Sequence, residues 1–319
     1  MQPAIRVSNL VKTYRGKPPV EAVRGIDFEI QNGECYGVLG PNGAGKTTTI
    51  EILEGLLTAT SGTAEIFGLK WGVHGAAIRQ RIGVSLQETQ LSERLTVSET
   101  LQLFRSFYKT GIDPLEAMRR VSLEDKAKAW VKTLSGGQKQ RLAVATALVG
   151  EPDLIFLDEP TTGLDPTSRR QIWEIVESLG RKGKTILLTT HYMEEAERLC
   201  DRVAIFDQGK IIAEGAPADL IHSLGAEHII EFSIDRDLNQ FDDSLIRRLP
   251  TLERFEQLAG GFRITVGQPH IVLPELIDNL AQQHIALASL TTRHASLEDV
   301  FVGLTGRHLT DQNQSRNSS

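Results

Sequence analysis

The chain has 319 residues, and at about 100 to 200 residues per domain this length predicts two domains rather than one. Hydrophobic residues make up 40% of the chain, and 35 Lys and Arg against 41 Asp and Glu give a formal net charge of -6. This balance argues against nucleic acid as the main partner, because binding its backbone requires clustered cations. The two cysteines, Cys35 and Cys200, exclude a disulfide framework and a four-cysteine metal site.

Membrane-spanning and secretory segments are not expected. No apolar stretch approaches the roughly 20 residues that a membrane-spanning helix needs. Residues 1–6 lack the basic segment and apolar run that mark a secretory signal. We therefore expect a cytoplasmic protein, and if it serves a membrane, another chain must cross that membrane.

The first 220 residues alternate short apolar runs with longer helical periods, a pattern typical of an α/β fold. The runs 35–39, 154–157 and 185–189 are bounded by Gly, Asp or His. Runs of this kind predict parallel strands that are buried on both faces. We expect these strands to form the core sheet of a domain over residues 1–220.

A glycine-rich segment follows the first of these strands. Residues 40–47 read Gly-Pro-Asn-Gly-Ala-Gly-Lys-Thr, which matches the phosphate-binding loop between a strand and a helix, here predicted over 48–56. The glycines let backbone N–H groups surround β- and γ-phosphates, and the helix N-terminus adds its positive dipole end. We expect Lys46 to neutralise phosphate oxygens and the Thr47 hydroxyl to ligate Mg²⁺. The alternative is a glycine-rich turn without a ligand.

A second candidate for anion binding lies at residues 134–138, which read Leu-Ser-Gly-Gly-Gln and precede a predicted helix. The segment offers a hydroxyl, two glycine N–H groups and a helix N-terminus. The alternative is a helix N-cap at Ser135 followed by a flexible turn. The chemistry of these residues alone leaves both interpretations open.

Two acidic residues, Asp158 and Glu159, follow the strand predicted over 154–157. Open α/β sheets bind ligands at the carboxyl ends of their strands. Together with the phosphate-binding loop, the pair is interpreted as the second half of a nucleotide site. We expect Asp158 to hold Mg²⁺ through water, and Glu159 to orient and polarise an attacking water.

These motifs together resemble the ATP-binding subunits of ATP-binding cassette (ABC) transporters, whose signature loop residues 134–138 match without departure. The resemblance covers residues 4 to about 220. It implies ATP as substrate and a P-loop ABC cassette of α/β class. Such a cassette has a mainly parallel core sheet, N-terminal antiparallel strands and a helical subdomain.

The resemblance also implies roles for four single residues. Tyr14 would stack on adenine, and the alternative is an edge-strand tyrosine. Gln87 would sense Mg²⁺ and the attacking water, and His191 would contact the γ-phosphate. Asp165 would lie in a loop that crosses a dimer interface. Because Pro166 follows it, Asp165 is also a good N-cap for a helix through residue 182, and the two roles are compatible. The implied catalytic residues are Glu159, His191 and Gln87, and the implied Mg²⁺ ligands are Thr47, Gln87 and Asp158. The implied nucleotide-binding residues are Tyr14, Gly40, Pro41, Asn42, Gly43, Ala44, Gly45, Lys46, Thr47, Thr48, Ser135, Gly136, Gly137, Gln138 and Asp165.

The C-terminal third has a different pattern. Apolar and polar residues alternate over 230–234 and 262–266, and apolar residues at helical spacing follow over 273–280 and 297–304. We predict a small α+β domain over 221–306, with a ferredoxin-like strand order and a last helix capped by Ser296. The polar segment 307–319 is predicted to be a disordered tail.

Residues 292–307 are similar to the ending of the ABC-2 type exporter ATPases, the group that includes antibiotic-resistance pumps. An amphipathic helix packed on a small sheet would explain the same residues, and the two interpretations are compatible. The resemblance implies an ATPase subunit that powers an ABC-2 type exporter. We expect a head-to-tail homodimer that closes on two ATP molecules, each between the phosphate-binding loop of one copy and the signature loop of the other.

The expected partner is a separate membrane-spanning permease, which would place the protein peripherally on the inner face of the cell membrane. One alternative is a soluble ABC ATPase that acts on ribosomes or DNA, and another is the ATPase of an importer. A P-loop kinase or GTPase is a third alternative. It would leave the signature loop unexplained, and the chain has no Asn-Lys-x-Asp motif for reading guanine.

Overall fold

The computed structural model describes residues 2–86, 89–225, 228–235, 243–244, 246–258 and 260–306. The chain divides into two compact units, one that ends at Pro217 and one that begins at Ala218. Within these ranges, no helix is both long enough and apolar enough to cross a lipid bilayer. The tail predicted over 307–319 lies outside the described residues.

Strands and helices alternate along the first unit, as the sequence pattern predicts. Its strands are β1 (Ile5–Tyr14), β2 (Val20–Ile30), β3 (Cys35–Leu39), β4 (Ser61–Ile66), β5 (Ile82–Ser85), β6 (Leu154–Asp158), β7 (Thr185–Thr190), β8 (Arg202–Asp207) and β9 (Lys210–Gly215). The helices up to the unit boundary are α1 (Lys46–Leu53), α2 (Trp71–Arg79), α3 (Val97–Arg105), α4 (Pro114–Arg120), α5 (Gly136–Leu148), α6 (Pro166–Arg181), α7 (Met193–Leu199) and α8 (Pro217–His222).

Two sheets organise this unit. The larger sheet has the order β5-β6-β7-β3-β8-β9, in which all neighbours run parallel except β8 and β9. The smaller sheet is antiparallel, with the order β2-β1-β4. Helices α3, α4 and α5 pack against one another as a helical subdomain. The predicted α/β class, with a mainly parallel core sheet, N-terminal antiparallel strands and a helical subdomain, is confirmed.

The central strands are buried on both faces. Every residue of β3, β6 and β7 is buried, which explains why these strands read as continuous apolar runs rather than alternating ones. On one face, Tyr36 and Phe156 pack with Ile50 and Leu53 of α1 in the main core. This packing fixes α1, and therefore the loop before it, against the middle of the sheet.

The second unit begins within α8, and its described residues add a four-stranded antiparallel sheet and two further helices. Its strands take the order β11-β12-β10-β13, and all neighbours are antiparallel. Numbered 1 to 4 along the chain and read from the β13 edge, the order is 4-1-3-2, which is that of a ferredoxin-like sheet. Helix α9 buries Val272, Leu276 and Leu280 in the same core as Phe232 and Phe262. The elements are β10 (His228–Ile234), β11 (Leu252–Leu258), β12 (Gly261–Val266), α9 (Pro269–Gln282), β13 (Leu287–His294) and α10 (Leu297–Thr305).

A ladder of ion pairs crosses this sheet and ends on α10. Arg263 lies 3.9 Å from Glu256 and 2.9 Å from Glu231, and Arg293 lies 3.4 Å from Glu231. Arg293 also donates to both carboxylate oxygens of Asp299, at 2.7 and 2.8 Å. Asp299 accepts the backbone N–H of the capping residue of α10. Opposite charges on neighbouring strands stabilise a sheet, so the ladder fastens α10 to all four strands.

Removing Arg293 tests this ladder. Arg293→Met leaves the mostly buried Asp299 carboxylate without its cation, and because Arg293 is 37% exposed we expect a loss of about 1 kcal/mol. Amide hydrogen exchange in β10, followed by mass spectrometry, should become about five- to tenfold faster. The control is Arg247→Met, which breaks an exposed pair with Asp243 in the same unit and should change exchange little. Exchange at the wild-type rate in Arg293→Met would show that the ladder adds no stability.

Candidate functional site

Three separate segments of sequence meet at the carboxyl edge of the parallel sheet. In the register of β6 with β7, Asp158 lies opposite Thr189, and in that of β7 with β3, Leu39 lies opposite Thr190. The three strands therefore end side by side, and the residues that follow them lie close together at one edge of the sheet. This is the edge at which open α/β sheets bind their ligands.

The loop between β3 and α1 has the conformation that its glycines allow. Gly40 has φ 142° and Gly45 has φ 102°, and a Cβ at either would collide with a backbone carbonyl oxygen, of Phe206 or of Ala22. Helix α1 begins at Lys46, two residues earlier than predicted, because Gly45 is its N-cap. Gly45 supplies no side-chain cap, so the first N–H groups of α1 remain available to an anion.

Lys46 lies across this loop. Its side chain is buried, with 5% of the residue exposed, and Nζ donates to the carbonyl oxygens of Gly40 at 2.6 Å and Pro41 at 3.2 Å. Burial lowers the pKa of Lys46, and the charges of Glu159 and Asp158 oppose that change. One buried cation therefore lies beside two carboxylates.

Tyr14 lies next to the same loop. Its hydroxyl is 3.3 Å from the hydroxyl of Thr48 in the first turn of α1. The ring is partly exposed, and the ammonium of Lys12 lies 5.3 Å from its centroid. An exposed aromatic face beside a phosphate-binding loop can stack on a base.

Thr47, the predicted Mg²⁺ ligand, is exposed between Lys46 and Thr48.

Thr189 holds both acidic residues, although the sequence gives no sign of this role. Its hydroxyl donates to Asp158 Oδ1 and accepts the backbone N–H of Glu159 at 2.9 Å. Burial raises the pKa of Asp158, and the bond from Thr189 and the charge of Lys46 work against that rise. Thr189 is one threonine in an apolar run, so only its place opposite Asp158 distinguishes it.

Glu159 is positioned by its backbone and by two hydrogen bonds. Its φ of 45° is in the left-handed region, which a non-glycine residue rarely adopts outside constrained sites. Oε2 lies 3.2 Å from His191 Nδ1 and accepts the hydroxyl of Thr162 at 2.9 Å. The bond with His191 lowers the pKa of Glu159, with help from Thr162 and Lys46 and against the effect of burial. Glu159 is therefore an ionised, oriented carboxylate at neutral pH.

The predicted signature residues cap α5. Ser135 N–H donates to Gln138 Oε1 at 2.9 Å, and Gln138 N–H donates to Ser135 Oγ at 3.3 Å. Gly136 is exposed, whereas a Cβ at Gly137 would collide with the hydroxyl of Ser168. The N-cap of Ser135 is thus present, and the structure gives the segment a capping role whatever else it binds.

Asp165 occupies the turn against which Gly137 packs. Its carboxylate accepts the N–H groups of Thr167 and Ser168 at 3.0 Å, and the hydroxyl of Ser168 at 2.6 Å. Asp165 therefore caps α6 and shares Ser168 with the start of α5. Within the described residues, neither Ser135 nor Asp165 forms a hydrogen bond with the loop before α1.

The donor set at the sheet edge fits Mg²⁺. A threonine hydroxyl and a carboxylate are hard oxygen ligands of the kind that Mg²⁺ prefers. In the described part of the chain, Asp158 Oδ2 accepts no hydrogen bond and stays available as a ligand. Gln87, the third predicted ligand, lies outside the described residues.

Glu54, at the end of α1, is a further buried carboxyl that the sequence pattern did not indicate. Burial raises its pKa to about 8, and the charges of Asp158 and Glu51 add to the rise. In the described ranges, neither of its oxygens makes a hydrogen bond. A sequence pattern cannot locate such a group, because its position near Asp158 depends on how α1 packs on the sheet.

Comparisons with known proteins agree with this geometry. Residues 23–162 match the family model described as ABC transporter. The Nod factor export ATP-binding protein I of Ralstonia nicotianae is 40% identical, over 97% of this chain and 96% of its own length. The linearmycin resistance ATP-binding protein LnrL of Bacillus subtilis is 38% identical, over 96% of this chain and 100% of its own.

Solved structures similar to this chain are ATP-binding cassettes. One is a dimeric post-hydrolysis state bound to ADP and Pi, with TM-score 0.61 and 28% identity over 66% of this chain and 98% of that one. Another is the ATP-binding subunit of an ABC transporter, with TM-score 0.63 and 30% identity over 70% of this chain and 93% of that one.

The hydrogen bond from Thr162 to Glu159 can be tested through the pH dependence of stability. Because hydrogen bonds lower the folded-state pKa of Glu159, the stabilisation is complete above its ordinary pKa of 4.5 and is lost as pH falls through the lowered value. Thr162→Val should lower the free energy of unfolding by about 1 kcal/mol at pH 7, and by less below pH of about 4. Urea unfolding followed by tryptophan fluorescence measures both values, since Trp71, Trp130 and Trp173 all lie in the first unit.

The matched control is Thr167→Val, since Thr167 is exposed and contributes only its backbone N–H to Asp165. It should change stability little at either pH. An equal loss at pH 7 and at acidic pH in Thr162→Val would contradict the assigned bond.

Proposed function

Because the chain belongs to the ABC transporter family and, within it, to the ABC-2 type exporter ATPases, we propose that it hydrolyses ATP to drive export through a separate permease. The observation that carries this proposal is the cluster at the sheet edge. His191 Nδ1 lies 3.2 Å from the Glu159 carboxylate, and that carboxylate also interacts with the buried ammonium of Lys46. A cation for phosphate and an oriented base for water are the two groups that phosphoryl transfer to water needs.

The loop and Lys46 would bind the phosphates of ATP. The Lys46 ammonium would exchange the carbonyl oxygens of Gly40 and Pro41 for β- and γ-phosphate oxygens, which are stronger acceptors because they are charged. The N–H groups at the start of α1 would donate to the same phosphates. Tyr14, beside Thr48, would stack on the adenine ring. The remaining loop residues, Asn42, Gly43 and Ala44, would contribute backbone N–H groups.

Glu159 would act on the attacking water. The water oxygen forms a bond to the γ-phosphorus, the bond from phosphorus to the bridging oxygen breaks, and the carboxylate accepts the proton of the water. His191 would hold Glu159 in orientation through Nδ1 and contact the γ-phosphate from the other side of its ring. Mg²⁺, which Thr47, Asp158 and Gln87 would hold, supplies positive charge to the β- and γ-phosphate oxygens.

A second copy of the chain would complete each site. The chain carries one phosphate-binding loop and one signature loop, so two copies in head-to-tail arrangement form two complete sites. Ser135, Gly136, Gly137 and Gln138 would donate to the γ-phosphate held by the partner subunit, and Asp165 would lie at the interface. ATP would favour the closed dimer because it makes these bridging contacts only there. The dimer in the similar structure with ADP and Pi supports this arrangement.

The permease would bind the helical subdomain. Leu103 in α3 and Phe107 just after it are exposed apolar residues of the kind that mark a protein interface. Closure of the dimer would move this surface and drive alternating access in the permease. Cargo selection would belong to the permease, and the name of a relative that serves Nod factor export supports an exported cargo. This partner would place the chain on the inner face of the membrane.

The first test removes the proposed base. Glu159→Gln keeps the size of the side chain but cannot accept the proton, so we expect ATP hydrolysis to fall by about 10²- to 10⁴-fold while ATP binding persists. Size-exclusion chromatography with ATP should then show a stable dimer. Hydrolysis at the wild-type rate in Glu159→Gln would remove this residue from its proposed role.

The second test blocks the signature loop. Ser135→Arg places a bulky cation where the partner subunit's ATP would lie, and in a homodimer both sites carry the change. We expect loss of hydrolysis with ATP binding to the isolated subunit retained, measured by steady-state turnover and fluorescent-nucleotide titration. Ser135→Ala is the control that keeps the space open. Wild-type turnover in Ser135→Arg would contradict the two-copy site.

A further inference from the structure

A buried carboxyl that the mechanism above does not use lies in the helix after His191. Glu195, in α7, is 0% exposed, and its Oε1 accepts the indole N–H of Trp173 at 2.9 Å. Trp173 lies in α6 and is itself buried. Burying an ionisable group is costly unless it is bonded, so a fully buried glutamate between two helices requires an explanation.

The two helices that this bond joins both begin at the candidate site. Helix α6 starts directly after Asp165, and α7 starts two residues after His191. A bond between Trp173 and Glu195 therefore constrains the starting points of both helices. The same bond constrains His191 relative to Glu159, which lies on the chain segment that leads into Asp165.

The second oxygen of Glu195 points to a further contact. Burial raises the pKa of Glu195, and the hydroxyls of Thr190 and Thr161 are near enough to oppose that rise. Yet Glu195 Oε2 and the Thr161 hydroxyl, both buried, have no hydrogen-bond partner in the described residues. A buried donor and a buried acceptor that lie close but unbonded would gain by bonding, and a small shift of the 160–165 segment would join them.

We infer that Glu195 is a positioning residue for ATP hydrolysis. It holds His191 against Glu159, and through Thr161 it links His191 to the segment that carries Asp165. Thr190 precedes His191, and Thr161 lies between Glu159 and Asp165, so the hydroxyls that act on the carboxyl belong to the segments of both catalytic residues. The inference rests on the proposed ATPase function. A movement of the segment that carries Asp165 would then change the orientation of the His191 ring, and Glu195 would transmit that movement.

The structure contains a matched control for a purely structural role. Arg198 of α7 donates to Glu177 of α6 at 2.8 Å, so a second bond joins the same two helices on their exposed side. If Glu195 only fastened α6 to α7, breaking either bond would affect turnover alike. If Glu195 positions His191, only its own substitution lowers turnover.

The experiment compares Glu195→Met, Trp173→Phe and Glu177→Met in the full chain, with kcat and KM for ATP and the melting temperature of each. Methionine has about the length of glutamate but no oxygen to accept the bond from Trp173 or Arg198. We expect kcat to fall about tenfold in Glu195→Met, with KM within about twofold of wild type because Lys46 and its loop are untouched. Trp173→Phe keeps a smaller aromatic ring and removes the donor, so its kcat should also fall, and it tests the inference independently if Glu195→Met does not fold. Glu177→Met should keep wild-type kcat.

A double-mutant comparison separates positioning from general stability. In a His191→Ala background, Glu195→Met should lower kcat no further, because both substitutions disrupt the same unit. Wild-type kcat in both Glu195→Met and Trp173→Phe, an equal loss in Glu177→Met, or losses that multiply in the His191→Ala background would each overturn the inference. A wild-type chain without ATP hydrolysis would instead overturn the proposed function.

Discussion

Parallel pairing of β6 with β7, and of β7 with β3, is the constraint on which the candidate site depends. The pairing places Asp158 opposite Thr189 and Leu39 opposite Thr190, so three loops begin at one level of the sheet. Adjacent residues of a strand point to opposite faces, so a slip of one residue would separate the Thr189 hydroxyl from the Asp158 carboxylate. Close packing on both faces of the three buried strands resists such a slip, because side chains of different size would have to exchange faces.

The polar groups at this edge depend on one another because water does not reach them freely. Burial lowers the pKa of Lys46 and raises that of Asp158, and each charge opposes the change in the other. Thr189 bonds to the carboxylate and to the next backbone N–H, so one hydroxyl fixes the positions of both acidic residues. In such a low-dielectric setting hydrogen bonds are strong, and the loss of one partner is correspondingly costly.

The two units satisfy their polar groups in different ways. The central strands of the first unit's core sheet are buried on both faces, so their polar residues are concentrated at the strand ends, where they form the site. The second unit has an antiparallel sheet with its apolar core on one face, and the other face carries the charges of Glu256, Arg263, Glu231 and Arg293. Antiparallel sheets permit one polar face, which explains why a charge ladder is possible there and would be unfavourable in the first unit.

The sequence by itself determined what depends on neighbouring residues. Apolar runs predicted β3 at its observed bounds and β6 and β7 one residue short. The glycine and lysine pattern predicted the phosphate-binding loop, because left-handed φ and a following helix are local properties. Asp158 and Glu159 followed from their place after a strand. The nucleotide roles of Tyr14, Gln87 and His191, and the interface role of Asp165, came only from resemblance to a family, since no local pattern indicates them.

Only the tertiary structure decided which distant residues share a hydrogen bond. Thr189 and Thr162 bind the acidic pair, and Glu54 and Glu195 are buried carboxyls, yet all four are ordinary polar residues in the sequence. The start of α1 was predicted two residues late, because its N-cap is a left-handed glycine, Gly45, which lies so close to the carbonyl of Ala22 on another strand that a Cβ would not fit. Burial and register join residues far apart along the chain, and no local pattern records them.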